Sequence, residues 1–241
     1  DWVWDILERE TGARMTHSFG RIGGMAFPPT DGFADDVRAI IPEIHKVVGE
    51  AEGLLLKNRI FLDRMQGIGI LSKERAVALG CSGPVLRSTG VPYDVRKDHP
   101  YMVYDRFDFE VPVGEDGDNW DRFMVRMEEI RQSIRIIEQA LEQMPTDGPV
   151  SVTDSRIMLP EKREVYTTIE ATIAHFKLVM EGLKCPKGAV YSFTEGGNGE
   201  LGFYIVSDGS GTPYRVRVRP PCWYNLQAVR EMLIGDMIAD I

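Results

Sequence analysis

The side chains of this sequence with chemistry to offer are four histidines, three cysteines and a run of arginines. His17, His45, His99 and His175 each lack a second histidine or a cysteine at metal-ligand spacing. Cys81, Cys185 and Cys222 stand too far apart for a CxxC metal or redox pair, and their odd number fits poorly with a disulfide framework, so they read as reduced thiols. His45 and His175 fall in helical patterns and His99 precedes Pro100 in an extended stretch, settings that suit structural roles. His17 differs. It lies in TGARMTHSFGRIGG, a non-helical segment where Arg14, Arg21 and several glycines surround it. Both a functional imidazole and a histidine that packs a glycine-rich loop fit that setting.

The second cluster is RSTGVPYDVRK, residues 87–97. Arg87 and Arg96 could fix an anionic ligand, because a guanidinium offers paired donors to carboxylate or phosphate. They could equally fasten the loop by pairing with Asp94, Asp98 or backbone carbonyls. The glycine-rich stretches at 196–202 and 209–211 have no dinucleotide or phosphate-loop spacing and join strand to strand, so they read as hairpin turns. Ser207 beside Asp208 lacks a nucleophile elbow and a placed histidine, which makes Asp208 a turn former.

The elements that must position these residues are mostly helical. Val37, Ile40, Ile41, Ile44, Val47, Val48, Ala51, Leu54 and Leu55 recur at three- and four-residue steps and predict one long helix through Pro42, with Thr30 and Asp31 as candidate caps. Ser72 followed by Glu74 and closed by Gly80 predicts a short capped helix. From Gly90 to Pro112 three X-Pro pairs and alternating Phe107 and Phe109 predict extended chain. Phe123, Met127, Ile130, Ile134, Ile137, Leu141 and Met144 form a heptad seam, capped by Asp118, that predicts an antiparallel bundle or coiled coil. Residues 162–182 predict a third long helix with Val165, Ile169, Ile173, Phe176 and Met180 on one stripe. Three short β runs follow, at 189–193, 201–206 and 214–218, separated by glycine-rich turns. The fold class expected is mainly α with a small antiparallel β region, an α+β arrangement in a single domain over residues 1–241.

At 241 residues, with 43% hydrophobic and 27% charged side chains, the chain can bury a substantial core. A net charge of −9 without a basic block excludes nonspecific nucleic-acid or anionic-membrane binding. Its apolar runs fall far short of the roughly 20 residues needed to span a bilayer, so any membrane association is expected to pass through partners. The first residues have no signal-peptide pattern, and the sequence does not open on Met. With a helical pattern still running at Asp240-Ile241, the expectation is a fragment cut at both ends.

Six blocks carry a resemblance: TGARMTHSFGRIGG (11–24), GPVLRSTGVPYDVRK (83–97), HPYMVYDRFDF (99–109), RMEEIRQSIRIIEQAL (126–141), GELGFYIVSDG (199–209) and PYRVRVRPP (213–221). In family order and along the whole chain they closely resemble the D-type subunit of the proton-pumping NADH:quinone oxidoreductases, respiratory complex I. That family is related to the large subunit of nickel–iron hydrogenases and to the H-type subunit of chloroplast-type NDH complexes. The resemblance implies a hydrogenase-large-subunit-like helical bundle with a small β region, peripheral to the cytoplasmic side of the bacterial inner membrane. It implies a chamber for quinone as substrate and partners that include the terminal iron–sulfur subunit, a C-type neighbour and the membrane quinone-site subunit. No cofactor is expected on this chain, since iron–sulfur clusters, FMN and NADH belong to partner subunits, and the fragment alone is expected to be inactive. By the resemblance, the family's quinone-binding histidine and tyrosine are expected upstream of Asp1 and a further pocket segment is expected beyond Ile241.

By the same resemblance His17, with Arg21 nearby, falls near the terminal cluster, and Arg87 and Arg96 fall on the quinone side. A hydrogenase-type large subunit is the alternative in another enzyme class, and it needs paired cysteine motifs because soft sulfur ligands hold nickel. Cys222, followed by Trp223 and Tyr224, does not supply one. A purely structural assembly subunit is the non-enzymatic alternative.

Overall fold

A computed structural model of the chain describes residues 1–145 and 147–240. Helix α1, Trp2–Thr11, ends where Gly12 takes a left-handed conformation at φ 80. Two short strands, β1 (Gly20–Arg21) and β2 (Gly24–Met25), pair antiparallel with Gly20 opposite Met25. Helix α2, Phe33–Leu55, carries Pro42 in its interior, as the periodicity predicts. Asn58 caps α3 (Arg59–Met65) and Ser72 caps α4 (Lys73–Ala78), its hydroxyl accepting from Arg75 N at 3.3 Å. Two single-turn helices follow, α5 (Pro84–Arg87) and α6 (Val95–Asp98). A 3₁₀ turn at Tyr104–Arg106 precedes α7, Asn119–Gln143, whose start is capped by Asp118 Oδ1 accepting from Asp121 N at 2.8 Å. Later come α8 (Lys162–Thr167), α9 (Ile169–Phe176) and a π-helical turn at Lys177–Glu181. A three-stranded sheet in the order β3-β4-β5 (Gly188–Gly196, Gly199–Ser207, Arg215–Arg219) leads into α10, Pro221–Leu233. The α+β class is as expected.

Four expectations need correction. Thr30 does not cap α2: its hydroxyl bonds the Glu10 carboxylate, and the first turn is satisfied by backbone, with Asp36 N donating to Gly32 O at 3.0 Å. Residues 90–112 are not wholly extended, because the Asp94 carboxylate accepts from Arg96 N at 2.9 Å and nucleates α6. The third long helix is broken. Thr168 adopts an extended conformation (φ −129, ψ 143) and its hydroxyl caps a new start at Ala171 N, so two adjacent β-branched threonines divide α8 from α9. The stripe predicted there is exposed at Ile169, Ile173, Phe176 and Met180.

The heptad seam is the fourth. It predicts a long partner helix along its length, whereas α7 packs mainly against the short α3 and α5 and meets the long α2 through the Arg131–Glu52 ion pair. Of the seam residues Met127 and Ile134 are buried, while Ile130 and Ile137 face outward and Val125 and Ile136, outside the seam, are buried.

The chain divides into two compact units, and the division falls within α2 and within the sheet strands. The first comprises Asp1–Ile40, Met144–Val190 and Ile205–Val216. In it the β1–β2 turn lies against the segment 150–152, Met25 N donating to Val150 O at 2.9 Å and Val152 N to Gly23 O at 2.9 Å. The second comprises Ile41–Gln143, Tyr191–Tyr204 and Arg217–Ile241. Its apolar core joins Leu71, Ala76, Cys81, Val85, Leu86 and Ala228, and a smaller cluster joins Phe107, Phe109 and Ile136.

Glycine is required at two of this unit's crossings. At Gly83 (φ 67) a Cβ would lie 2.5 Å from Gly199 Cα, and at Gly117 (φ 69) one would lie 2.3 Å from Leu71 O. These contacts bring the start of α5 against the β3–β4 turn and the approach to α7 against residue 71.

Candidate functional site

Pro84 opens α5 at its first helical position, where a missing N–H costs nothing, and one turn later the chain delivers Arg87 into the interior of the second unit. The side chain is 2% exposed. Its Nε donates to Glu129 Oε1 on α7 at 2.7 Å, and Nη2 reaches the same oxygen at 2.6 Å. Its Nη1 donates to Tyr93 O at 2.9 Å and to Glu195 Oε1 on β3 at 2.9 Å, with Asp94 Oδ2 3.7 Å away. One guanidinium therefore ties α7, the segment before α6 and β3 together.

Arg96 completes the network from α6. Its Nε and Nη2 donate to Asp94 Oδ1 and Oδ2 at 3.0 and 2.7 Å, a two-pronged pair, and its guanidinium lies 5.0 Å from the Phe109 ring centroid. Asp94 is buried, which pushes its carboxyl up, yet the hydrogen bonds and charge of Arg96 and the charge of Arg87 outweigh that and hold it below the ordinary carboxylate range. Glu195 goes the other way. Burial pushes it up, Arg87 offsets only part of that, and the Asp94 charge adds to the rise. Tyr101, whose hydroxyl accepts from Glu195 N at 3.2 Å, is pushed up to about 12, mainly by burial and then by Tyr104.

A second polar group adjoins it in the same unit. Glu200 accepts from the hydroxyls of Tyr93 at 2.8 Å and Tyr191 at 2.5 Å. Arg219 donates to Ser82 Oγ, Glu200 O and Gly80 O at 3.0, 2.6 and 2.6 Å, and stacks over Tyr224. The Asn225 side chain accepts from Ser82 N and donates to Ser82 O and Asn198 O, so every edge of that buried amide is used.

Of the residues singled out in the sequence, Arg87 and Arg96 meet at Asp94, and both fasten their own loop. His17 and Arg21 belong to the first unit and are exposed, His17 just before β1 and Arg21 within it, its Nε 3.4 Å from Ser18 O. Arg14 is paired with Glu8 at 2.7 Å and Asp5 at 3.2 Å, which offsets its charge beside His17. His99 lies edge-on to Phe193, 5.4 Å between centroids. Asp208 is a turn residue, Oδ1 accepting from Ser210 N at 2.9 Å. Sequence reasoning missed Glu129, Glu195 and Glu200. Their only sequence signal is a carboxylate on a face or strand position otherwise suited to an apolar residue.

Fold and site together define an α+β protein whose second unit is organised around internal ion pairs of a single arginine. A family model described as "Respiratory-chain NADH dehydrogenase, 49 Kd subunit" matches residues 1–241. The chain is 65% identical over 238 residues to a D-type subunit of the NADH-quinone oxidoreductase of Sorangium cellulosum, a match covering 99% of this chain and 59% of that protein. It is 54% identical over 231 residues to the D-type subunit of Myxococcus xanthus, covering 96% and 55%. To a D-type subunit of an Anaeromyxobacter species it is 48% identical over 241 residues, covering 100% and 56%. The chain belongs to the family of the 49 Kd, or D-type, subunits of respiratory NADH–quinone oxidoreductases. It spans between 55% and 59% of the length of these relatives.

The depressed Asp94 makes a pH-dependent contribution with a definite sign. A group whose folded pKa is lowered stabilises fully above its unfolded value, about 3.9 for Asp, and loses that contribution as pH falls through the folded value. Asp94→Asn is expected to cost on the order of 3 kcal/mol at pH 7, the scale for breaking a buried pair, and progressively less below about pH 4. Urea unfolding at a series of pH values measures this, and a deficit that does not change with pH would contradict it.

Proposed function

We propose that this chain serves as a subunit of an NADH:quinone oxidoreductase, forming part of the chamber where quinone is reduced beside the terminal iron–sulfur cluster of a neighbouring subunit. The match of the family across all 241 residues carries this reading, and the names of the relatives favour quinone over nickel chemistry. In this reading NADH, FMN and the iron–sulfur clusters stay with partner subunits, and coupling of electron transfer to proton translocation is a property of the assembly. Among the described residues no helix is long and apolar enough to cross a membrane, which is consistent with attachment through partners on the cytoplasmic side of a bacterial inner membrane. Those partners are the terminal iron–sulfur subunit, a C-type neighbour and the membrane quinone-site subunit.

Within that assignment the chain divides its labour. The Arg87–Arg96 network gives the quinone side a rigid wall, because Arg87 already holds Glu129 and Arg96 the buried Asp94, which leaves each segment little freedom. His17 and Arg21, being exposed, are available to the neighbour that holds the cluster. An imidazole beside a centre that gains an electron is favoured in its protonated form, which links proton uptake to reduction.

Two outcomes are expected. An affinity-tagged chain, expressed as the full-length protein in its own cells, co-purifies with an iron–sulfur subunit, and NADH:quinone activity is lost when its gene is deleted and returns on complementation. Purification free of any iron–sulfur partner, with undiminished quinone reduction in the deletion strain, would contradict the assignment. In the intact complex, His17→Met is expected to remove most of the pH dependence of the terminal cluster's midpoint potential and to lower the potential at acid pH. Paramagnetic resonance titrations at several pH values read this, and equal slopes in wild type and variant would remove His17 from the cluster's surroundings.

A further inference from the structure

The network around Arg87 is not electrically balanced. Within ion-pairing distance it holds two guanidinia, Arg87 and Arg96, and three carboxylates, Asp94, Glu129 and Glu195. Asp98, at the end of α6, adds a fourth carboxylate at its edge by accepting from Asp94 N at 2.9 Å. No other cation lies within 4.0 Å of these carboxylates among the described residues. Arg126, one turn before Glu129 on α7, acts on it from longer range and gives its own Nη1 to Arg122 O. Burying an uncompensated negative charge is expensive, and a carboxylate in that position lowers the cost by taking a proton.

The hydrogen bonds identify which carboxylate does so. Asp94 receives three donors from Arg96, two from the guanidinium and one from the backbone, and has Arg87 close by. Glu129 receives both Nε and Nη2 of Arg87 and retains 16% exposure, so water supports its charge as well. Glu195 is 3% exposed and has the least support. Its Oε1 shares Arg87 Nη1 with Tyr93 O, and its Oε2 has only the Val95 N–H at 3.2 Å. The groups that face it are Arg87 from α5, Asp94 and Arg96 from the α6 segment, and Tyr93 and Tyr101 from the flanking loops.

We infer that Glu195 is an internal proton-binding site, holding one exchangeable proton that balances the carboxylate excess around Arg87. The effect of burial on its carboxyl, already described, acts in the same direction. Protonation leaves Asp94 and Glu129 as the carboxylates paired with the two guanidinia, with Asp98 at the edge. Deprotonation restores the excess. The site stands on the geometry of the cluster alone. Its placement beside a reaction that consumes protons rests on the quinone-reductase reading above, and the experiment is chosen to be independent of that reading.

The test is infrared titration of the protonated-carboxyl C=O stretch in the 241-residue chain, with side-chain carbonyl labelling of glutamate. The wild type is expected to keep one protonated glutamate above about pH 5, where ordinary carboxyls are ionised, and Glu195→Gln is expected to lack that band. Glu129→Gln removes the charge excess from the other side of Arg87 and is expected to lower the band's midpoint by at least about one pH unit. That variant decides the matter if Glu195→Gln does not fold. The inference is overturned if the wild type has no protonated glutamate above about pH 5, if the band survives in Glu195→Gln, or if Glu129→Gln leaves the midpoint in place. None of these outcomes depends on whether the assembled complex reduces quinone.

Discussion

A single guanidinium placed in the interior, with its donors divided among three chain segments, is the constraint on which the second unit depends. Arg87 cannot be left unpaired at 2% exposure, so Glu129, Glu195 and the Tyr93 carbonyl must all reach it. Such an arrangement is weak evidence of net stability, because desolvation consumes much of the Coulomb gain. Its strength is specificity. Few alternative packings of α7, α6 and β3 present one carbonyl and two carboxylates to the same five N–H groups.

The backbone around Arg87 extends that constraint. Its carbonyl accepts from Gly114 N at 2.9 Å, Ser88 O accepts from Gly117 N at 3.1 Å, and Gly117 O accepts from Leu71 N at 3.0 Å. The approach to α7 is thereby fixed against α5 and the residues before α4. On the other side, Ser82, Asn225 and Arg219 join the start of α5 to α10 and to the β3–β4 turn, where Gly83 and Gly199 meet without side chains. The polar groups in this region are paired with one another, which suits a supporting wall better than a reactive surface. The residues of the first unit singled out for chemistry, His17 and Arg21, are exposed.

What the sequence made legible was local. The caps at Ser72 and Asp118, the run of α2 through Pro42, the hairpin turns and the pairing of Arg96 with Asp94 all arise from residues within a few positions of each other. What it hid was decided at a distance. Glu129 lies 42 residues from Arg87 and Glu195 lies 108, and no spacing rule links them. The seam of α7 misled for a related reason: a heptad states that a partner would fit, and α7 packs mainly against the short α3 and α5, meeting the long α2 through the Arg131–Glu52 ion pair. Thr168 shows the opposite failure, where a local hydroxyl cap overrode a longer helical stripe.

The central claim, that Arg87 organises the second unit, is tested most directly by amide hydrogen exchange in the wild-type chain and in Arg87→Met. The expected result is that the amides of Leu71, Val95, Gly114 and Gly117, which belong to different segments of the second unit, lose protection together in the variant, while those of Met25 and Val152 in the first unit change little. A loss confined to Val95, with Leu71, Gly114 and Gly117 as protected as before, would contradict it and reduce Arg87 to the tether of one loop.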